Sequence, residues 1–167
     1  MSQPNYFQHY SPELQERVRS LVAAGGLPQH LLQRYPQAHE MRSDRALYGY
    51  TMELKNRYLR QSRPLNKVIY DDKIRRSHAA LGLHTSLTRI QGNRLKSAQE
   101  IRIAGLFRKA PLPFLRMIVA HELAHLRESE HNKAFFQLCV HIEPDYFQLE
   151  FDTRLYLSCL DLHGDIY

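Results

Sequence analysis

Tryptophan is absent from this 167-residue sequence, and cysteine occurs only twice, at Cys139 and Cys159. Two cysteines cannot supply the disulfide framework of a small secreted domain, and their spacing does not match a zinc knuckle. No apolar run reaches the roughly 20 residues that a membrane-spanning helix needs, and the first residues lack the charged and apolar regions of a signal peptide. We therefore expect a cytoplasmic protein with two buried thiols and no membrane segment.

Neither an internal repeat nor a low-complexity tract interrupts the chain, and its hydrophobic content of 43% suits one compact domain, 1–167. Capping residues, prolines and apolar periodicity predict helices at both ends, while alternating apolar residues predict strands in the middle. The expected class is α+β, with a helical N-terminal extension (1–63) in front of a core (64–167) that holds a small, mostly antiparallel sheet and three helices. The expected helices are 14–24, 28–35, 43–61, 112–127, 132–142 and 145–162, and the expected strands are 67–74, 83–90 and 94–104, with a turn at 91–93.

The most informative stretch is the HExxH motif at 121–125. Helical residues advance by about 100° each, so His121 and His125 lie on one face and can bind the same cation. An apolar run that begins with Pro113 precedes the motif and provides the helical context that it requires. Glu122 lies between the two histidines and can take a proton from a water molecule, so it is the expected catalytic base.

A third metal ligand is expected at His131, with the fourth position left open for water. On an unbroken helix His131 would face away from the metal, so we expect the helix to end soon after Leu126. Asn132 or Ser129 can then cap a new helix. The spacing matches the HExxHxxGxxH frame, except that Glu128 replaces the glycine.

A glutamate from a following helix is the alternative third ligand, and Glu143 and Glu150 are the candidates. Three neutral imidazoles suit Zn²⁺ better than Mg²⁺, which prefers oxygen ligands. One zinc ion per chain is therefore expected, with another divalent metal as the alternative. Four further histidines lack partners at ligand spacing and are expected at the surface or at helix caps: His39, His78, His141 and His163.

Charge is distributed unevenly along the chain, whose net charge is +6. Residues 55–109 contain fourteen Lys or Arg and three acids, whereas residues 121–167 contain three Lys or Arg and nine acids. A basic segment can attract a nucleotide or a nucleic acid, although solvated strands and helices with skewed charge explain the pattern equally well. The candidate substrate-binding cations are Arg89, Lys96, Arg102 and Lys133.

The stretch MIVAHELAHLRESEHNKAFFQLC at 117–139 strongly resembles the YgjP-like metallopeptidase-domain family. Residues 81–92, 107–111 and 143–157 resemble it too, so the similarity extends over nearly the whole chain. The resemblance implies a zincin-like fold with SprT-like proteases as relatives, zinc ligands at the three histidines, and Glu122 as catalytic acid and base. The Trp-Gly-Ser-Cys stretch of many members is missing here, so the strand that would hold an extended substrate is expected to differ.

The main functional expectation is a zinc-dependent peptidase in which a second donor helps to hold the oxyanion. Tyr146, Arg154 and His84 are the candidate donors. One alternative is a nucleoside triphosphate pyrophosphatase that uses the same metal site, because one branch of the family is labelled a UTP pyrophosphatase group. A further alternative is a nucleic-acid-associated protease of the SprT-like kind. A purely structural metal site is disfavoured because such sites have four protein ligands and need no base.

Overall fold

Helices flank a central set of strands, as the sequence predicts, and the α+β class is confirmed. The computed structural model describes residues 5–74, 88–93 and 96–167, with the backbone alone at 88–93 and 96–98. None of the described helices is long and apolar enough to cross a membrane. The described elements are α1 (Pro12–Ala23), α2 (Leu27–Arg34), α3 (Asp44–Tyr58), β1 (Leu65–Asp71), β2 (Thr88–Asn93), β3 (Lys96–Ala104), a 3₁₀ helix (Gly105–Lys109), α4 (Leu112–Ala124), α5 (Lys133–Ile142) and α6 (Tyr146–His163).

The sheet has the strand order β1-β3-β2 and is mixed rather than mostly antiparallel. β2 pairs antiparallel with β3, but β1 pairs parallel with it, with Val68 opposite Ile101. The expectation of a mostly antiparallel sheet is therefore wrong for the β1–β3 pair. The physical reason is that β3 lies between the two strands that precede it, and local alternation of apolar residues does not reveal which neighbour a strand will have.

The turn expected at 91–93 is also wrong. Gln91 and Asn93 continue β2 and stand opposite Ala98 and Lys96 of β3. With Asn93 opposite Lys96, the connection between the two strands lies at 94–95. Glycine and asparagine favour turns, but a paired strand can accommodate them when its backbone hydrogen bonds are satisfied.

Side-chain caps set where three helices begin. Ser11 accepts a hydrogen bond from the amide of Leu14 at the start of α1, and Ser43 does the same for Ala46 in α3. At the start of α5, the Asn132 side-chain oxygen accepts a hydrogen bond from the amide of Phe135 at 2.9 Å. The last cap matters most for the site because it begins a new helix directly after His131.

Helix α4 lies at the centre of the molecule. Every residue from Met117 to Ala124 is buried, which explains the apolar run in this segment. The helix packs against α3, α5, α6 and β3. Buried residues of the first 63 positions, among them Leu27 and Leu47, belong to the same hydrophobic core. The division into an extension and a core at residue 64 stays a prediction.

His39 differs from its expected surface position because it is buried. Its Nε2 lies 2.7 Å from the carbonyl oxygen of Phe107, and its Nδ1 accepts a hydrogen bond from the amide of Met41. Burial lowers the pKa of this imidazole below its ordinary 6.5. The ring therefore acts as a neutral link between the segment after α2 and the 3₁₀ helix.

Candidate functional site

The last turn of α4 carries two histidines and a glutamate into the interior. His121 and Glu122 are each 1% exposed, and His125 is half-buried at the end of the helix. The other buried residues of this helix are apolar, so these three polar side chains stand out in its sequence. A buried polar group needs a partner, and a metal ion bound by the imidazoles would be one.

The chain leaves the helix at the expected place. His125 is the C-cap residue of α4, and the amide of Leu126 turns back to the carbonyl oxygen of Leu123 at 3.0 Å. Among the described residues only glycines have positive φ, so Glu128 fits this turn without a left-handed backbone. The replacement of glycine in the HExxHxxGxxH frame is thus compatible with the backbone. This turn brings His131 back toward the helix face.

The imidazoles of His121, His125 and His131 converge on one point. One ring nitrogen from each residue lies within 4.8 Å of the others, and the Nε2 atoms of His125 and His131 are 3.0 Å apart. In a tetrahedral zinc site with Zn–N bonds of about 2.0–2.1 Å, the ligand nitrogens are about 3.3 Å apart. The cluster therefore needs only small side-chain adjustments to bind a single ion.

Hydrogen bonds at the far sides of two rings orient the remaining nitrogens toward this point. Nδ1 of His125 lies 3.0 Å from the carbonyl oxygen of Glu128, which can only accept, so this nitrogen donates. In a neutral imidazole, Nε2 then keeps a lone pair for a metal. Nδ1 of His121 lies 2.8 Å from the hydroxyl oxygen of Tyr146.

Tyr146 therefore contacts a candidate ligand histidine, an arrangement that differs from the oxyanion donor expected from the sequence. The residue is 1% exposed, and its hydroxyl also forms a hydrogen bond with the side chain of Cys139. Burial raises the pKa of Tyr146 above its ordinary value and that of Cys139 to about 12. Both groups stay neutral near pH 7, so the hydroxyl can donate to sulfur while it accepts from Nδ1 of His121.

A single phenylalanine forms the apolar wall of the cluster. The ring centroid of Phe135 lies 4.9 Å from that of His121, 4.5 Å from that of His125 and 4.7 Å from that of His131. Phe135 is fully buried. Such a wall limits the rotation of the imidazoles and excludes water from one side.

The two alternative third ligands are engaged elsewhere. Glu143 forms an ion pair with Nε of Arg116 at 2.7 Å and accepts a hydrogen bond from the amide of Asp145. Glu150 forms an ion pair with Arg154 at 3.0 Å. Within the described residues, the group of side chains with ligand spacing contains His131 and neither glutamate. The geometry therefore favours the three-histidine set.

Arg154 links α6 to the N-terminal segment. Besides pairing with Glu150, it donates a hydrogen bond to the carbonyl oxygen of Tyr6 at 3.0 Å. These contacts explain why Arg154 is buried and indicate a structural role for it. The third candidate oxyanion donor, His84, lies outside the described residues.

Two of the four candidate substrate-binding cations have described side chains. Arg102 forms ion pairs with Asp71 at 3.0 Å and with Glu100 at 2.8 Å, so two carboxylates already compete for it. Lys133 is exposed at the first position of α5, two residues after His131. The side chains of the other two, Arg89 in β2 and Lys96 in β3, lie outside the described residues.

Ion pairs reduce the positive charge of the basic segment. Each of its three acids has a cationic partner, since Asp72 pairs with Arg108, and Glu100 pairs with Lys67 as well as with Arg102. Lys67, Arg102 and Arg108 are therefore already engaged by carboxylates and are less available to an anionic substrate. Among the candidates with described side chains, Lys133 combines exposure with nearness to the histidines in sequence.

Comparisons with known proteins bear on the class of this chain. The model of the family described as YgjP-like, metallopeptidase domain, matches residues 32–152, a span that includes α4, the three histidines and Tyr146. A UTP pyrophosphatase of Escherichia coli (strain K12) is 56% identical to this chain over 162 residues, which cover 97% of each protein. No solved structure matches the chain. The class of metal-dependent hydrolase is confirmed by these two similarities, and the chain belongs to the YgjP-like metallopeptidase-domain family.

Proposed function

We propose that this protein hydrolyses a nucleoside triphosphate, with UTP as the first candidate, and releases pyrophosphate. The observation that carries the proposal is the 56% identity to a UTP pyrophosphatase across 97% of both chains. In the reaction, a water oxygen forms a bond to the α-phosphorus, the bond from that phosphorus to the bridging oxygen breaks, and pyrophosphate leaves. The water gives up one proton to the protein and then to solvent.

The histidine cluster supports one zinc ion as the cofactor, held by His121, His125 and His131. Three imidazoles with an open fourth position match the donor set of catalytic zinc sites. When bound, zinc acts as a Lewis acid and lowers the pKa of a coordinated water to about 7. Tyr146 and the Glu128 carbonyl orient two of the rings so that the ion meets Nε2 atoms.

Glu122 is the proposed general base. It lies between the two proposed ligands of α4 in the sequence and is almost completely buried, so it meets few competing waters. It takes the proton of the attacking water and can return it to the leaving oxygen. Lys133 is the proposed partner of the phosphate oxygens, because it is exposed at the start of α5 beside His131.

A zinc peptidase is the second candidate function. It is favoured by the HExxH motif with its third histidine and by the metallopeptidase description of the family. A zincin-like fold is part of this candidate, and β2, at an edge of the described sheet, is the strand beside which an extended peptide would bind. The same Glu122 would then act on water that attacks a carbonyl carbon.

The test is a side-by-side assay of the zinc-loaded full chain with UTP, with other nucleoside triphosphates and with a casein and peptide panel. We expect UTP hydrolysis with pyrophosphate as product, and we expect Glu122→Gln to lower its rate by about 10²- to 10⁴-fold while zinc content is unchanged. If UTP remains intact while peptides are cut in a Glu122-dependent manner, the first candidate is overturned and the second is supported.

Nucleic-acid association in the manner of SprT-like proteases stays a prediction, as does the cytoplasmic location. Salt-dependent retention of the protein on DNA would test the former. The ion pairs of Arg102 and Arg108 weaken the charge argument for it.

A further inference from the structure

An exposed groove runs along α5, starting at the end of the helix that follows His131. It is lined by Lys133, Phe136, Gln137, Val140 and Phe147, with a cavity volume of about 420 Å³. This volume falls within the range of small-molecule sites. Phe147 is 55% exposed, the highest value among the exposed large hydrophobic side chains of the described residues.

A series of aromatic rings leads from the groove to His131 of the histidine cluster. The centroid of the His131 ring lies 6.3 Å from that of Phe136, which in turn lies 5.5 Å from that of Phe147. The Phe136 and Phe147 rings are inclined by only 36° to each other. A ligand bound over Phe147 is therefore separated from His131 by one intervening ring, that of Phe136.

The chemistry of the groove changes along its length. Lys133, at the end nearest to His131, carries a positive charge. The amide of Gln137, in the middle of the lining, can both donate and accept hydrogen bonds. Phe136 and Phe147 provide flat apolar faces of the kind on which nucleobases stack. For a bound nucleotide, the cation nearest to His131 suits the phosphates. The amide suits the edge of the base, and the two aromatic rings suit its face.

We propose that this groove binds the base of the nucleoside triphosphate, with Phe147 as the stacking platform and Lys133 directed to the phosphates. The proposal rests on the function proposed above and adds a base site to it. Because stacking tolerates every base, Phe147 provides affinity for nucleotides in general. Gln137 lies where a side-chain amide can bond the edge of the stacked base.

The experiment compares the binding of UTP and of inorganic triphosphate, which lacks a base, to the zinc-loaded full chain by calorimetry, with Glu122→Gln present in every variant so that hydrolysis is slow. Phe147→Ala is expected to weaken UTP binding by about 5- to 150-fold and to lower the ratio of UTP affinity to triphosphate affinity. Phe147→Trp is expected to restore the ratio. Tyr48→Ala, which removes an exposed aromatic ring outside the groove, is the matched control and is expected to keep it.

Equal UTP binding by Phe147→Ala and the unchanged chain would overturn the base site, even where UTP is hydrolysed. A loss of peptide cleavage in Phe147→Ala without a loss of UTP binding would also overturn it and would assign the groove to an apolar peptide side chain. A lowered ratio in a chain that leaves UTP intact would support the base site and overturn the pyrophosphatase function. Absence of any nucleotide binding would overturn both.

Discussion

Removal of the Tyr146 hydroxyl is expected to weaken metal binding. Tyr146→Phe keeps the aromatic ring, which lies nearly parallel to His121 at 16° with centroids 6.3 Å apart, and deletes only the oxygen that lies 2.8 Å from Nδ1. With a metal on Nε2, the proton of His121 must be on Nδ1. The variant then leaves a buried N–H group without its acceptor in the metal-bound state.

The expected magnitude follows from this loss. A buried donor without a partner costs about 1–3 kcal/mol. Without metal, the proton can move to Nε2, so most of this cost falls on the metal-bound protein. The dissociation constant for zinc should therefore rise by about 10- to 100-fold, as is usual when a group that orients a ligand histidine is removed.

The assay is competition for zinc between the full chain and a chelator of known affinity at constant pH. Tyr70→Phe is the matched control, because its hydroxyl is also buried and donates to the carbonyl oxygen of Met41 at 2.6 Å. This control should lose about 0.5–1.5 kcal/mol of unfolding free energy and keep the zinc affinity. A zinc dissociation constant for Tyr146→Phe equal to that of the unchanged chain would refute the reasoning.

Two predictions concern stability. Asn132→Ala removes the cap of α5 and should lower the unfolding free energy, measured in urea, by about 1 kcal/mol. Asn132→Ser, which can still cap the helix, should retain most of the unfolding free energy. An unchanged unfolding midpoint in the alanine variant would contradict the capping role. Because burial holds the pKa of His39 below 6.5, its contribution to stability is present above that pH and is lost as pH falls through 6.5 toward the folded-state pKa. His39→Gln should therefore lose less unfolding free energy between pH 7.5 and pH 5.5 than the unchanged chain, and an equal loss would be evidence against this assignment.

Local geometry explains which parts of the fold and site can be predicted from the sequence. The helices were predicted to within a few residues because their caps and prolines act on neighbouring residues, as at Ser43 and Asn132. His121 and His125 are related by helix geometry alone. To place His131 near the other two histidines required one further inference, that α4 ends near Leu126. The structure confirms this end, because His125 is the C-cap residue of α4.

Features that depend on contacts between distant segments could not be predicted in the same way. The parallel pairing of β1 with β3 depends on the position of a third strand. The surface position expected for His39 was wrong because its partner, the Phe107 carbonyl, lies 68 residues away in the chain. The excess of Lys and Arg over acids in residues 55–109 is visible in the sequence. The sequence did not show that Asp71 and Glu100 would both pair with Arg102.

The choice of the third ligand shows how such distant contacts determine the chemistry. A glutamate and a histidine were both compatible with the sequence, since each type binds zinc beside an HExxH helix. Arg116 and Arg154 form ion pairs with Glu143 and Glu150, and a carboxylate held by a guanidinium would have to lose that pair before it could reach a metal. His131 requires no such exchange, because the turn after α4 and the Asn132 cap already direct it to His125. The two arginines therefore favour His131 over either glutamate as the proposed third ligand, although neither arginine belongs to the histidine cluster.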